Sequence, residues 1–264
     1  MRPVSRSWTA GARWPAPPAP ACRSWRCIST AASGTAAAIG SGADALPLGP
    51  LAAGGTRVAV LSRRAFERLA FGDRNEGIVA VARFRAAPLA MFVPARAPDG
   101  VPRPVLVIEG VEKPGNLGAI LRTADAAGLA GVIACDPRTD PANPAVIRAS
   151  LGTVFSVPLA VATAEEAVAW CGDTRRHVVA ATPTGRVSWH EARLSGASAI
   201  VLGSEAHGLS PAWDGAATDG RIMLETVRLP MAGAADSLNV AATAAVLAYE
   251  AVRQQAAAAG VSRG

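Results

Sequence analysis

Lysine is almost missing from this chain. Lys113 is the sole one among 26 basic residues. Arginine supplies the rest against a background rich in alanine and glycine, which reads as a GC-rich coding bias rather than a functional choice. Cysteine is scarce too, with Cys22, Cys27, Cys135 and Cys171 the only four. None makes a C-x-x-C pair, and none clusters with the three histidines at metal-ligand spacing, so reduced buried thiols are expected and no metal site. No uncharged run reaches the roughly 18 to 20 residues that a membrane-spanning helix needs. The low apolar content and high charge of a disordered chain are also missing, since 50% of the residues are hydrophobic and 17% charged. With 264 residues, the chain can bury a core as one large domain or two modest ones.

Negative charge is short at one end only. Residues 1–50 hold five arginines (Arg2, Arg6, Arg13, Arg23, Arg26) against Asp44, while the rest of the chain is nearly balanced under a net charge of +6. Such a balance hints at a nucleic-acid partner without establishing one. The same fifty residues carry Trp8, Trp14, Trp25 and a proline-rich run, and show neither a 3.6 nor a 2.0 apolar period. No apolar region follows the first charges, as a secretory signal requires, and the prolines oppose an amphipathic transit helix. Residues 1–50 are therefore expected to be an unstructured tail, or a stretch with a misassigned reading frame or start.

Order returns near residue 51. Residues 56–61 and 78–84 read as strands, with a short helix over 62–70 capped by Ser62. Pro88, Pro94, Pro98 and Pro102, with Pro104 just beyond, mark residues 86–103 as a linker. Beyond it, strands at 105–109, 131–135, 177–181, 199–202 and 221–224 alternate with helices at 117–127, 144–151, 165–171 and 237–255. Short apolar strands between helices predict an α/β fold around a parallel sheet covered on both faces.

Parallel sheets bind ligands at the carboxyl ends of their strands. Gly110 and Gly115 have Walker A spacing, but Asn116-Leu117 replaces the phosphate-binding Lys-Ser/Thr, and the glycines do not fit G-x-G-x-x-G. Both nucleotide motifs fail. What remains there is Asn116 as a helix cap, with Arg122 nearly two turns on. In a second loop, residues 202–210, Gly203 and Gly208 bracket Glu205 just after a strand, where the backbone can approach a ligand closely. In a third, residues 229–240, Ser237 is expected to cap the last helix. Capping does not account for Asn239, a poor residue inside an alanine-rich helix.

Taken together and in order, these loops resemble the SpoU (TrmH-like) family of RNA ribose 2′-O-methyltransferases, in the SPOUT group of trefoil-knotted enzymes. The first family motif is matched by Asn116-Leu117-Gly118-Ala119-Ile120-Leu121-Arg122, the second by residues 202–210 with Glu205 as its acid, and the third by Pro230-Met231 leading into Ser237-Leu238-Asn239. Residues 148–158 look like the family's intermediate stretch; the resemblance spans roughly residues 104–255 and implies a methyltransferase domain over 104–258. Upstream, residues 66–83 are similar to the end of a ribosomal-protein-like RNA-binding domain, so residues 51–95 are expected to be an incomplete substrate-binding domain.

The resemblance implies S-adenosylmethionine as cofactor, contacted by Gly203, Leu229, Leu238 and Thr182. It implies Arg122, Asn116, Glu205, Ser237 and Asn239 as the catalytic set, with Glu205 and Asn239 orienting Arg122, and Arg148 against RNA. It further implies a cytoplasmic homodimer joined through the final helix, acting without metal on ribosomal RNA in preference to transfer RNA. A base-methylating SPOUT enzyme and a noncatalytic RNA-binding or assembly factor of the same fold are the alternatives.

Overall fold

A computed structural model of the chain describes residues 22–29, 38–39, 46–47, 57–69, 78–205, 207–258 and 260. Two compact units divide between residues 85 and 86, where the linker expected from sequence begins.

In the first unit, β1 (Cys22–Ser29) lies between β4 (Arg57–Val60) and β5 (Ile78–Phe84), parallel to the former and antiparallel to the latter. The expectation of an unstructured tail over residues 1–50 fails at β1, because a strand whose hydrogen bonds are satisfied on both edges needs no apolar periodicity to be held. The short strands β2 (Ala38–Ile39) and β3 (Leu46–Pro47) pair antiparallel; the rest of 1–50 lies outside the described residues. Helix α1 (Arg63–Leu69) starts where Ser62 accepts the Ala65 amide at 3.4 Å, and it buries Phe66.

The second unit is an eight-stranded, wholly parallel sheet. Its strands are β6 (Ala87–Pro88), β7 (Val105–Glu109), β8 (Gly131–Cys135), β9 (Leu159–Ala162), β10 (His177–Ala181), β11 (Val187–Ser188), β12 (Ser198–Leu202) and β13 (Met223–Arg228). Their spatial order is β11-β13-β10-β12-β7-β8-β9-β6. Every residue of β7, β8 and β12 is buried, as continuous apolar strands covered on both faces must be. The proline-rich stretch is not only a linker: Ala87 and Pro88 form an edge strand on β9, and Leu89 and Phe92 enter the core. Proline is tolerated there because an edge strand leaves one row of amides unpaired.

Successive side chains alternate between the two faces. Val105, Val107, Ile133, Val178 and Val201 share a core with Ala167, Val168 and Cys171 of α4 (Ala164–Asp173) and with Trp213 and Ala216 of α5 (Pro211–Thr218). On the other side α2 (Pro114–Ala126) packs against both α3 (Pro144–Ala149) and α6 (Val240–Ala258). Gly118 is what lets α2 and α3 meet, since a Cβ there would stand 2.5 Å from Ala149 Cβ. Cys135 and Cys171 are buried free thiols, and burial pushes the Cys171 pKa up to about 12. Among the described residues no helix is long and apolar enough to cross a membrane.

Candidate active site

The loops that follow β7, β12 and β13 converge at the carboxyl edge of the sheet. The first is anchored by a residue with no expected role. Glu109, the last residue of β7, is buried; it accepts the Ser210 amide at 3.0 Å and the Trp213 indole N–H at 2.8 Å. A buried carboxylate needs such partners, and here they tie the end of β7 to the start of α5. The chain then turns through Gly110 at φ +65°, where a Cβ would stand 3.0 Å from that of Ser204. Absence of a side chain allows this close approach of the first and second loops.

Helix α2 begins earlier than the sequence indicated. Pro114 takes the first helical position and Lys113 is the cap residue, without a side-chain cap bond. Asn116 is consequently not a cap but a first-turn residue, and its amide is free to point outward. At the far end of the site the roles are also exchanged. Asn239 caps α6, its Oδ1 accepting the Ala241 amide at 2.9 Å, while Ser237 lies in the preceding loop with its hydroxyl 3.5 Å from Asp236 Oδ1. A cap must accept from the second or third residue of the helix, and with α6 starting at Val240 only Asn239 is in register.

Glu205 is where the three loops meet. Its Oε1 accepts from Asn116 Nδ2 at 2.8 Å and from Asn239 Nδ2 at 2.9 Å, and Asn239 Nδ2 also reaches Asn116 Oδ1 at 3.2 Å. Its Oε2 accepts from Lys113 Nζ at 2.9 Å. The Lys113 hydrogen bond is the main cause holding the Glu205 carboxyl below the usual carboxylate range; slight desolvation opposes it, and the Lys113 charge and the Asn116 amide reinforce it. The same bond raises the Lys113 ammonium pKa. Nothing in the sequence motifs flagged Lys113; its being the only lysine, beside a candidate loop, was the available signal.

The loop carrying Glu205 is held by its own backbone. Ser204 and Gly208 exchange two N–H···O bonds of 3.0 Å, and a Cβ on Gly203 would come within 2.2 Å of the Gly208 carbonyl carbon. Gly203 therefore has a structural reason to be glycine that requires no ligand.

Three of the five expected catalytic residues come together: Asn116, Glu205 and Asn239. Arg122 is exposed on α2, four residues beyond Gly118 and so on the same face. Among the described residues no hydrogen bond joins Arg122 to Glu205 or Asn239: their side chains bond each other, Asn116, Lys113 and the first backbone amides of α6. Ser237 is exposed and outside the cluster, and Arg148 is exposed on α3, the neighbour of α2.

Of the expected cofactor residues, Thr182 lines a cleft of about 230 Å³ with Gly208, Leu209, Ser210, Trp213, Leu224 and Thr226. The Ser210 hydroxyl is buried there with no hydrogen-bond partner among the described residues. The walls mix apolar side chains with hydroxyls and the Asp214 carboxylate, a lining that suits a flat heteroaromatic group with polar edges, such as an adenine. Leu229 is half-buried where β13 ends, and Leu238 is 42% exposed just before α6. Among the described residues no group of three or more His, Cys, Asp or Glu is placed to hold a metal ion.

Residues 103–249 match the model of the SpoU rRNA Methylase family. A 23S rRNA (guanosine-2′-O-)-methyltransferase RlmB of Bordetella pertussis is 34% identical over 206 residues, which cover 76% of this chain and 80% of that protein. A 23S rRNA (adenosine(1067)-2′-O)-methyltransferase of Streptomyces laurentii is 33% identical over 204 residues, covering 76% and 71%. Among solved structures, an AdoMet-bound rRNA methyltransferase from Sinorhizobium meliloti aligns with a TM-score of 0.66 at 30% identity, over 77% of this chain and 74% of that one. With the three motif loops meeting on Glu205 and the match running from residue 103 to 249, over every strand of the parallel sheet except β6, the chain belongs to the SpoU rRNA methylase family.

Proposed function

We propose that this chain transfers the methyl group of S-adenosylmethionine to a ribose 2′-hydroxyl of ribosomal RNA, at the site centred on Glu205. The observation that carries the reading is the convergence of Asn116 and Asn239, from the first and third motif loops, on one carboxylate oxygen of Glu205 from the second. In the reaction a ribose O–CH₃ bond would form as the S–CH₃ bond breaks, the sulfonium leaving as the neutral thioether S-adenosylhomocysteine and the hydroxyl proton passing to solvent water. S-adenosylmethionine supplies an electrophilic methyl on a sulfonium, so no metal is required. Gly203, Leu229, Leu238 and Thr182 hold it, with Leu209 and the Ser210 hydroxyl adding to the walls of the cleft.

Arg122 acts on the oxygen side. A guanidinium stays protonated at any working pH and is no base, but its fork of donors can stabilise a developing alkoxide and an adjacent phosphate. Glu205 and Asn239 orient Arg122 indirectly, by fixing Asn116 in the first turn of the helix that carries both. Ser237, exposed in the loop before α6, is placed for a phosphate oxygen, and Arg148 on the adjacent helix for the RNA backbone. Positioning of the two reactants supplies much of the rate.

The same reading takes the carboxyl-terminal segment as threaded into the trefoil knot, the protein as a cytoplasmic homodimer joined through α6, and the first unit as an RNA-binding element. Ribosomal RNA is favoured over transfer RNA by the relatives, whose names specify 23S rRNA. Replacing Arg122 tests the site: Arg122→Lys should lose turnover by about a hundredfold, as expected for removal of a transition-state donor, with cofactor affinity unchanged. Near wild-type turnover would contradict the role of the guanidinium fork.

A further inference from the structure

Lys113 belongs to none of the three motifs, yet it closes the site. As cap residue of α2 its carbonyl accepts the Asn116 and Leu117 amides at 3.0 and 3.3 Å, so its backbone is fixed relative to the first motif. Its ammonium bonds the Glu205 oxygen that Asn116 and Asn239 leave open. The neighbouring acid is not a competitor, because Glu112 pairs with Arg138 at 3.0 Å.

Folding stability is a poor reason for this pair. The Lys113 side chain is 67% exposed, and exposed ion pairs contribute little. Base chemistry is no better a reason, since an ammonium paired with a carboxylate keeps its proton and offers no lone pair. What the bond does is geometric. A carboxylate held through one oxygen can rotate about its terminal torsion, which is broad. Held through both, its plane is fixed, and with it the direction of the lone pairs that Asn116 and Asn239 share.

We propose that Lys113 is a positioning residue of this site: by occupying Glu205 Oε2 it sets the carboxylate plane on which Asn116 and Asn239 are aligned for reaction. This rests on the function proposed above, so its test has one arm independent of activity. In this chain Lys113 carries the only side-chain amine, and the α-amino group serves as an internal reference. Glu205→Gln should acylate at Lys113 about threefold faster than wild type by mass spectrometry, because the free amine is no longer suppressed by its ion pair. Equal rates would overturn the pairing whatever the protein catalyses.

The second arm uses turnover. Lys113→Met should lower kcat about tenfold with the KM for S-adenosylmethionine unchanged, Lys113→Arg should recover most of the loss, and Lys113→Met should add nothing in a Glu205→Gln background, the signature of coupled residues. Additive losses, or a defect carried wholly by the KM for RNA, would overturn it. Wild-type protein that labels no RNA would sink the proposed function, and the acylation rates would still decide Lys113.

Discussion

Asn239 Nδ2 donates to Asn116 Oδ1 at 3.2 Å across 123 positions of sequence, and both amides donate to the same oxygen of Glu205. The contact joins the first turn of α2 to the cap of α6. Asn239 thus does two things at once, closing the end of a 19-residue helix with its Oδ1 and completing the polar cluster with its Nδ2. An amide side chain divides its donor and its acceptor between two atoms in this way, whereas an ionised aspartate has no donor and a serine must make both bonds from one oxygen.

Substitutions at Asn239 and Ser237 separate capping from chemistry. Asn239→Ala should destabilise the protein by about 1 kcal/mol through the lost cap, and lower turnover as well. Ser237→Ala should leave the melting temperature unchanged, because Ser237 caps nothing, while still weakening RNA methylation. Thermal denaturation of the two variants beside their kinetics checks both halves.

At Gly118 the expectation is purely steric. An added Cβ would stand 2.5 Å from Ala149 Cβ and 2.8 Å from the Ser150 amide nitrogen. Two rigid helices must separate to admit it, which costs about 1–3 kcal/mol. Gly118→Ala should therefore lower the melting temperature by several degrees, about 2–4 °C per kcal/mol for a chain of this size. Unchanged melting would mean that α2 and α3 do not pack as described.

How far the sequence prefigured these positions depended on what fixes each element. Strands β7 and β8 lie where their apolar runs placed them, because full burial makes the run and the strand coincide, and β10 does too with its three central residues buried. Helix starts were displaced by three residues at both site helices. At α2 a Pro at the first position set the start; at α6 the choice between Ser237 and Asn239 as cap was decided by where the loop brings the chain back to the sheet. The central strand β1 and the edge strand β6 escaped notice because neither carries a periodic apolar signal, β6 lying in a proline-rich stretch as well. The three-residue meeting on Glu205 was legible through the motif resemblance, whereas Lys113 and Glu109 gain their roles only from tertiary placement.

Acid should act on the cluster later than on an ordinary carboxylate. The folded-state pKa of Glu205 is depressed, chiefly by its Lys113 bond. The sign is that of a group that contributes stability above its unfolded pKa and loses it as pH falls through the lower folded value. Titration of the Glu205 carboxyl by NMR should accordingly find its midpoint below that of a free glutamate, and Lys113→Met should move it upward. A midpoint at or above the free value would mean that the ion pair is absent in solution.

The most direct test of the account uses S-adenosylmethionine labelled in its methyl group, the purified full-length protein, and total RNA from cells lacking the gene. A 2′-O-methyl group removes the hydroxyl through which alkali cleaves RNA. After alkaline hydrolysis the label should therefore appear in resistant dinucleotides, and fractionation should trace it to ribosomal RNA. Label recovered in mononucleotides would show that the protein methylates a base, contradicting the ribose-directed role assigned to Arg122 and the Glu205 cluster.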